Sequence, residues 1–444
     1  MKKIIAESWF KWVFLFAIVA ISMSPLKSKA EEIKARRADD FVDYMGVAAT
    51  FGNDNGRWNN LVYDGLSELG IRYIRGWMNW LDDDVDRFKE MGIRMVGLWS
   101  DNKLKKPLQC RPKILDVGAD FFIAIEGHNE PDVFSKKACY KEFCNDFRTN
   151  KYDATKAHQQ DFYNDLKSDP LTADLPVVAT ALARPKKIDD ASPQPHDLRN
   201  LHYYPKWKEN TYPTAGYGWN NVGFEDTFSV LVDNYGTDFP IFVTESGHNS
   251  DTQVSELAQA KYIGRMFAEY FQQPNIAKFF YFRLHQKDYG KSHDSWGLMD
   301  VNGNRFQAFY GLKSLIDLLK EATYDVSASK WKVPNPDFTP GTLNITYTGK
   351  KTSTHDLLMQ KADGTYYLLI WQEVNSFDAN TSEDLNPELD NLTITIGEGI
   401  SSASKHEYNL NNFIFEESNI SVVDGNSINV SVPDSVIAIE FSNY

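Results

Sequence analysis

Two segments place a carboxylate where it could react. One runs Phe121-Phe122-Ile123-Ala124-Ile125-Glu126-Gly127-His128-Asn129-Glu130-Pro131-Asp132, the other Pro240-Ile241-Phe242-Val243-Thr244-Glu245-Ser246-Gly247. Each is an apolar run of strand length that ends on acidic residues. A glutamate at a strand end is common and is usually solvated or salt-bridged. Two of them facing one another have a specific use. One carboxylic acid protonates a leaving glycosidic oxygen while the other carboxylate attacks the anomeric carbon, provided the carboxyls lie roughly 5–5.5 Å apart. On this reading Glu130 is the general acid/base and Glu245 the nucleophile.

That pairing needs a scaffold which brings strand ends together. Eight apolar runs recur at Tyr44–Phe51, Ile71–Trp77, Ile93–Trp99, Phe121–Glu126, Pro176–Ala181, Leu198–Tyr203, Pro240–Glu245 and Lys278–Leu284. Between them lie stretches with helical spacing, such as Leu61-Leu66-Leu69 and Leu257-Tyr262-Met266-Tyr270. Near-continuous apolar strands alternating with helices predict an α/β fold built on a parallel sheet. Eight repeats favour a closed (β/α)8 TIM barrel over an open doubly wound sheet, and no glycine-rich phosphate loop follows the first strand. In such a barrel the reactive residues sit at the C-terminal ends of the strands. Glu130 and Glu245 then belong to strands four and seven.

The texture changes after Leu319. Residues Tyr324 to Gly341 carry Pro334, Pro336 and Pro340 and read as a linker or covering loop. Beyond it, Leu357–Gln360 and Thr365–Trp371 flank an Asp363-Gly364 turn, and Leu392–Ile396, Ser421–Val423, Ser427–Val432 and Val436–Phe441 alternate apolar and polar residues. The expected organisation is a signal peptide over 1–30, a catalytic barrel over 31–323, and a linker with an antiparallel β-sandwich over 324–444. The sandwich is either a stabilising appendage or a sugar-binding module.

Four motifs, falling in the right order along these strands, resemble clan A retaining glycoside hydrolases, most of all family 39 and its relatives, over about residues 40 to 320. Asn129-Glu130-Pro131 is similar to the Asn-Glu-Pro signature ending strand four, and Thr244-Glu245-Ser246-Gly247 to the nucleophile segment ending strand seven. Gly70-Ile71-Arg72-Tyr73-Ile74-Arg75-Gly76 resembles the second-strand segment, and Leu201-His202-Tyr203-Tyr204-Pro205 the sixth-strand His-x-Tyr segment. The resemblance implies that Arg75 contacts the nucleophile, that Asn129 donates to the sugar 2-hydroxyl, and that His202 and a tyrosine line the site. Residues two apart on a strand share a face, which pairs His202 with Tyr204, although Tyr203 remains open until the strand end is known. Trp77 and Trp296 are the aromatic candidates for sugar contact, with Trp80 and Trp99 behind them. Two positions depart from the pattern: Gly127-His128 precedes Asn-Glu-Pro, and Phe282-Arg283-Leu284-His285 stands where many relatives place a tryptophan.

Bulk properties bound the rest. The chain has 444 residues, 42% of them apolar and 24% charged, an ordinary globular balance. A formal charge of −14 argues against nucleic acid or an anionic membrane surface as partner. Lys2 and Lys3, the apolar run Trp12 to Ser22 and the small residues before Glu31 form a secretory leader, or alternatively an uncleaved anchor, so the expected location is secreted or periplasmic. Three cysteines, Cys110, Cys139 and Cys144, lack metal-ligand spacing and predict one disulfide from Cys110 to one of the others. The reading calls for no cofactor or metal, a polysaccharide or oligosaccharide as partner, and a monomer. Residues alone leave open the sugar, internal or terminal attack, transfer to another sugar instead of water, and a barrel that binds without cutting.

Overall fold

The computed structural model describes residues 30–49, 60–81, 85–99, 104, 107–134, 136–146, 149, 151–184, 195–205, 209–216, 222–235, 239–286 and 295–442. The leader expected over 1–30 lies outside them except for Ala30. Eight parallel strands form one sheet: Met45–Ala48, Tyr73–Trp77, Arg94–Leu98, Phe122–Glu126, Val177–Val178, Arg199–His202, Ile241–Ser246 and Ile276–Phe282. Strands eight and one pair from Phe279↔Met45 to Phe282↔Ala48, and strands five and six meet at the Val178↔Leu198 bridge, so the sheet closes into a barrel. All eight predicted strands are present. Strand five is shorter than its apolar run, with only Val177 and Val178 paired to strand four.

The barrel interior holds Tyr73, Val96, Ala124, Val178, Leu198, Phe242 and Phe280. A larger core lies outside the strands, where helices such as Asn60–Leu69, Glu256–Gln272 and Gln307–Leu319 bury one or more faces. Strand residues are therefore apolar toward both layers, which is why the runs read without alternation. At Gly46 a side chain has no room, because an added Cβ would meet the Phe280 ring at 2.4 Å.

The C-terminal part is a two-sheet sandwich. One sheet orders Glu31–Lys34, Thr342–Thr348, Asp390–Ile396 and Ser427–Val432. The other orders Arg36–Arg37, Thr354–Gln360, Tyr366–Gln372, Ile437–Ser442, Ser402–Tyr408 and Phe415–Asn419. Leu343, Ile345, Leu368, Ile370, Ile394, Val430 and Ile439 pack between them. The opposite face of the larger sheet, including Met359, Leu369, Trp371 and Ala438, joins the core outside the barrel. Residues 31–37, read as the start of the barrel, instead supply an edge strand to each sandwich sheet, pairing Glu31↔Ile345 and Gln360↔Arg37. Their charged composition hides this, since edge strands need little apolar side chain to keep their backbone bonds.

The predicted Cys110 bridge is overturned. Cys139 and Cys144 sit opposite each other on the first two strands of a small three-stranded sheet, with Cα atoms 4.0 Å apart, and form the disulfide. Cys110 is buried and free in the core beside Ile114 and Phe121. Directly opposed residues in an antiparallel pair are already within bridging reach, whereas Cys110 is packed inward.

Candidate active site

Strand register positions the site. Asn200 and His202 alternate on the inward face of strand six while Leu201 and Tyr203 join the outer core. Pairing with strand seven slips between Leu201 and His202, and strand seven slips again against strand eight between Val243 and Ser246. Such irregularities re-aim side chains at barrel rims. Here they bring both Thr244 and Glu245 to the mouth, while Ser246 turns outward to Tyr270. Glu130 is fixed differently. Its φ of 44° is left-handed, a conformation that a non-glycine residue holds only under constraint. Its N–H donates to Ala181 O at 3.1 Å, and its carbonyl accepts from Val133 and Phe134 in the short helix opened by Pro131.

Glu130 and Glu245 converge. A carboxylate oxygen of each and a ring nitrogen of His202 all lie within 4.8 Å of one another. Arg75 donates to Glu245 Oε1 at 2.5 Å through Nη1, and to Glu126 at 2.6 and 2.8 Å through Nε and Nη2. Its Nη2 also reaches Asn129 Oδ1 at 2.8 Å, which turns the Asn129 amide nitrogen away as the end that can meet a ligand. Tyr204 donates to Glu245 Oε2 at 2.8 Å, and His202 Nδ1 lies 2.8 Å from Glu130 Oε1. Tyr203 is excluded, since its hydroxyl bonds Ala215 O beneath the barrel wall.

These contacts drive the two glutamates apart. Burial pushes the Glu130 carboxyl up, and the negative Glu245 adds to that, against the opposing bond from His202. Burial also disfavours charge on Glu245, but His202, Arg75 and Tyr204 outweigh it and hold its carboxyl below the ordinary value. His202 is held above its usual value: burial opposes this, and the charges of Glu245 and Glu130 overcome it. One carboxyl is set to carry a proton and the other to stay ionised, the division that acid/base and nucleophile require.

Of the predicted residues, Arg75, Asn129, Glu130, His202, Tyr204 and Glu245 form one connected cluster. Trp296 adjoins it, its ring 5.1 Å from Tyr204 and 5.9 Å from Phe282. Trp77 is half-buried and packs against the outer core, as does the buried Trp99. Phe282 stands beside Trp296 and Tyr204. Glu126 is a fully buried member of the network, joined by Asn200 and Thr244, to which the sequence motifs assign no role. Asn200 donates to Glu126 Oε1 at 3.0 Å, and Thr244 donates to Asn200 Oδ1 at 2.6 Å. The two-residue spacing Asn200-His202-Tyr204 carried the first signal. His128, buried near His158 and pushed down to about 3 by that burial, belongs to the packing behind Glu130.

No protein-family model matches the sequence, and no curated protein matches it. Solved structures do. A family 39 glycoside hydrolase from the gut symbiont Bacteroides cellulosilyticus WH2 superposes with a TM-score of 0.59 at 12% identity, over 92% of this chain and 81% of that one. The GH39 enzyme from Xanthomonas axonopodis pv. citri gives 0.57 at 14%, over 93% and 96%. The chain has the fold of these glycoside hydrolases. It shares that fold also with a monomeric β-xylosidase from Caulobacter crescentus CB15, at a TM-score of 0.57 and 11% identity, covering 93% of this chain and 98% of that one. Agreement across both parts means that barrel and sandwich recur together in this fold.

Proposed function

We propose that this chain is a secreted retaining glycoside hydrolase that cleaves β-glycosidic bonds of a polysaccharide by double displacement. The observation that carries the reading is the pair Glu130 and Glu245, with carboxylate oxygens within 4.8 Å and pKa values driven in opposite directions. That spacing suits a nucleophile in direct contact with the sugar better than the 6.5–9.5 Å that leaves room for a water in inverting enzymes. Glu245 attacks the anomeric carbon, steadied by Arg75 and Tyr204. Glu130 gives its proton to the leaving oxygen, then takes one from the water that releases the sugar. Asn129 meets the 2-hydroxyl, and Trp296 with Phe282 offers apolar faces to the ring. Similarity of fold to a β-xylosidase and to a GH30 endoxylanase from Clostridium papyrosolvens C71 puts xylan and aryl β-xylosides first in a substrate panel.

Removing each glutamate distinguishes the roles. Glu245→Ala abolishes turnover on every substrate, because no glycosyl-enzyme can form. Glu130→Ala lowers kcat/KM on polysaccharide by about 10²–10⁴-fold, the usual contribution of a positioned acid, yet spares the first step on activated aryl glycosides. Azide then restores turnover of those substrates and gives a β-glycosyl azide. Proton NMR of wild-type product shows retained configuration. An inverted first product, or full activity in either variant, excludes the assignment.

A further inference from the structure

The His202–Glu130 contact ends a longer chain of hydrogen bonds whose direction follows from its donors and acceptors. Asn200 Nδ2 lies 3.0 Å from Glu126 Oε1 and 3.1 Å from Ala179 O, both acceptors, with Glu126 held by two bonds from Arg75. The amide nitrogen of Asn200 therefore faces those oxygens and its Oδ1 faces Thr244. Thr244 has two oxygen acceptors for its single hydroxyl proton, that Oδ1 at 2.6 Å and the more distant Glu126 Oε1 at 3.5 Å, and donation to either leaves none for His202. Its oxygen then accepts from His202 Nε2 at 2.9 Å, which makes Nε2 a protonated nitrogen. What remains for His202 is Nδ1, 2.8 Å from Glu130 Oε1.

We propose that Asn200 and Thr244 are positioning residues that hold His202 in its Nε2–H form, so that one proton is retained between Nδ1 and Glu130 and the acid/base enters each cycle loaded. The inference rests on the reading of Glu130 as that acid/base. With Nε2–H fixed, loss of the shared proton would set the Glu130 carboxylate against the Nδ1 lone pair, which opposes deprotonation. The surrounding charges act on the same proton. Glu245 Oε2 at 3.6 Å and Glu126 Oε1 at 4.0 Å from the His202 ring favour keeping it, as does Asp132 beside Glu130, while Arg75 opposes. Tyr204 bonds Glu245 and also faces Glu130, and as a neutral hydroxyl it adds no charge to the pair.

Thr244→Val keeps the side-chain shape and removes the acceptor. Two effects then act in one direction. The protonated pair is left with a buried N–H that has no partner, and the deprotonated pair can move its remaining proton to Nδ1, against Glu130. The alkaline limb of kcat/KM falls by about one pH unit, the scale of one lost buried hydrogen bond, and Thr244→Ser restores it. Histidine-selective ¹⁵N NMR of the wild-type protein gives a readout that needs no turnover: Nε2 of His202 stays protonated through the alkaline limb. A neutral His202 protonated on Nδ1, or an unmoved alkaline limb in folded Thr244→Val, overturns the inference. If Thr244→Val does not fold, the wild-type spectrum decides. Failure of the Glu130 assignment shows separately, in the azide experiment.

Discussion

At the scale of single residues, Arg75 divides its guanidinium between Glu245 and Glu126, and replacing it separates charge from geometry. Arg75→Met leaves two buried carboxylates without their cation, which costs about 3–5 kcal/mol by analogy with other broken buried pairs. Arg75→Lys keeps a charge but cannot serve both partners, because an ammonium lacks the planar fork. The Glu245 carboxyl, now held below its ordinary value, rises. Its stabilising contribution is present above the ordinary carboxylate pKa and is lost as pH falls through the folded value, so weakening it moves both acid unfolding and the acid limb of kcat/KM upward. A pH–rate profile of Arg75→Lys checks this, and an acid limb identical to wild type would show that Arg75 does not govern Glu245. Most of this cluster was legible beforehand because strand-end glutamates and two-residue alternation leave marks in a sequence. Thr244 was legible only as an inward position two beyond Phe242, and that Glu245 turns toward the same mouth was not, since the register slip responsible is a property of pairing between strands.

Among the elements, helix Glu256–Gln272 is covered on nearly every side, which an amphipathic pattern could not have foretold. Lys261, Arg265 and Glu269 recur every four residues along the stripe that faces the sandwich. They meet Asp434 at 3.0 Å, Glu373 at 2.8 Å, and His355 with Trp371 at 2.6 and 2.8 Å. Glu373 also accepts from Thr214 N, tying the loop that follows Tyr204 to the sandwich. Glu373→Ala strands the fully buried Arg265 and costs about 3–5 kcal/mol in urea unfolding, whereas Arg265→Met with Glu373→Leu recovers most of it. A double replacement no better than the single one would mean that the pair itself supplies the stability. The disulfide is a smaller matter. A separation of 5 residues closes a short loop, worth about 2 kcal/mol on the chain-entropy model. Unreduced protein should show one thiol to a labelling reagent after denaturation and none before, because Cys110 is buried with its thiol pushed up. Barrel strands announced themselves because both their faces are apolar. Ser402–Tyr408 and Phe415–Asn419 did not, being polar strands toward one edge of a sheet, held by backbone bonds to their neighbours.

For the molecule as a whole, barrel and sandwich share a continuous core through the larger sandwich sheet, so neither is a free-standing module. Residues 38–323 expressed alone would expose the outer face of helix Glu256–Gln272 with its three charges unpaired. The expected outcome is aggregation, or strong binding of a hydrophobic dye; a soluble, cooperatively melting fragment would contradict it. The strand Glu31–Lys34 gives this arrangement a consequence in time. Its partner, Thr342–Thr348, is made some three hundred residues later. A ribosome adding about 5–20 residues per second reaches that partner only after tens of seconds. During that interval the early strand has an open edge, and the barrel that follows it cannot bury its outermost helix. If the chain is exported, it crosses the membrane in the same order and meets the same delay outside. Closure of the native structure therefore waits for the tail, and a chain stalled or clipped before the sandwich is complete carries both an unpaired strand and an uncovered core, the two features that holdase chaperones and quality-control proteases recognise in unfinished proteins.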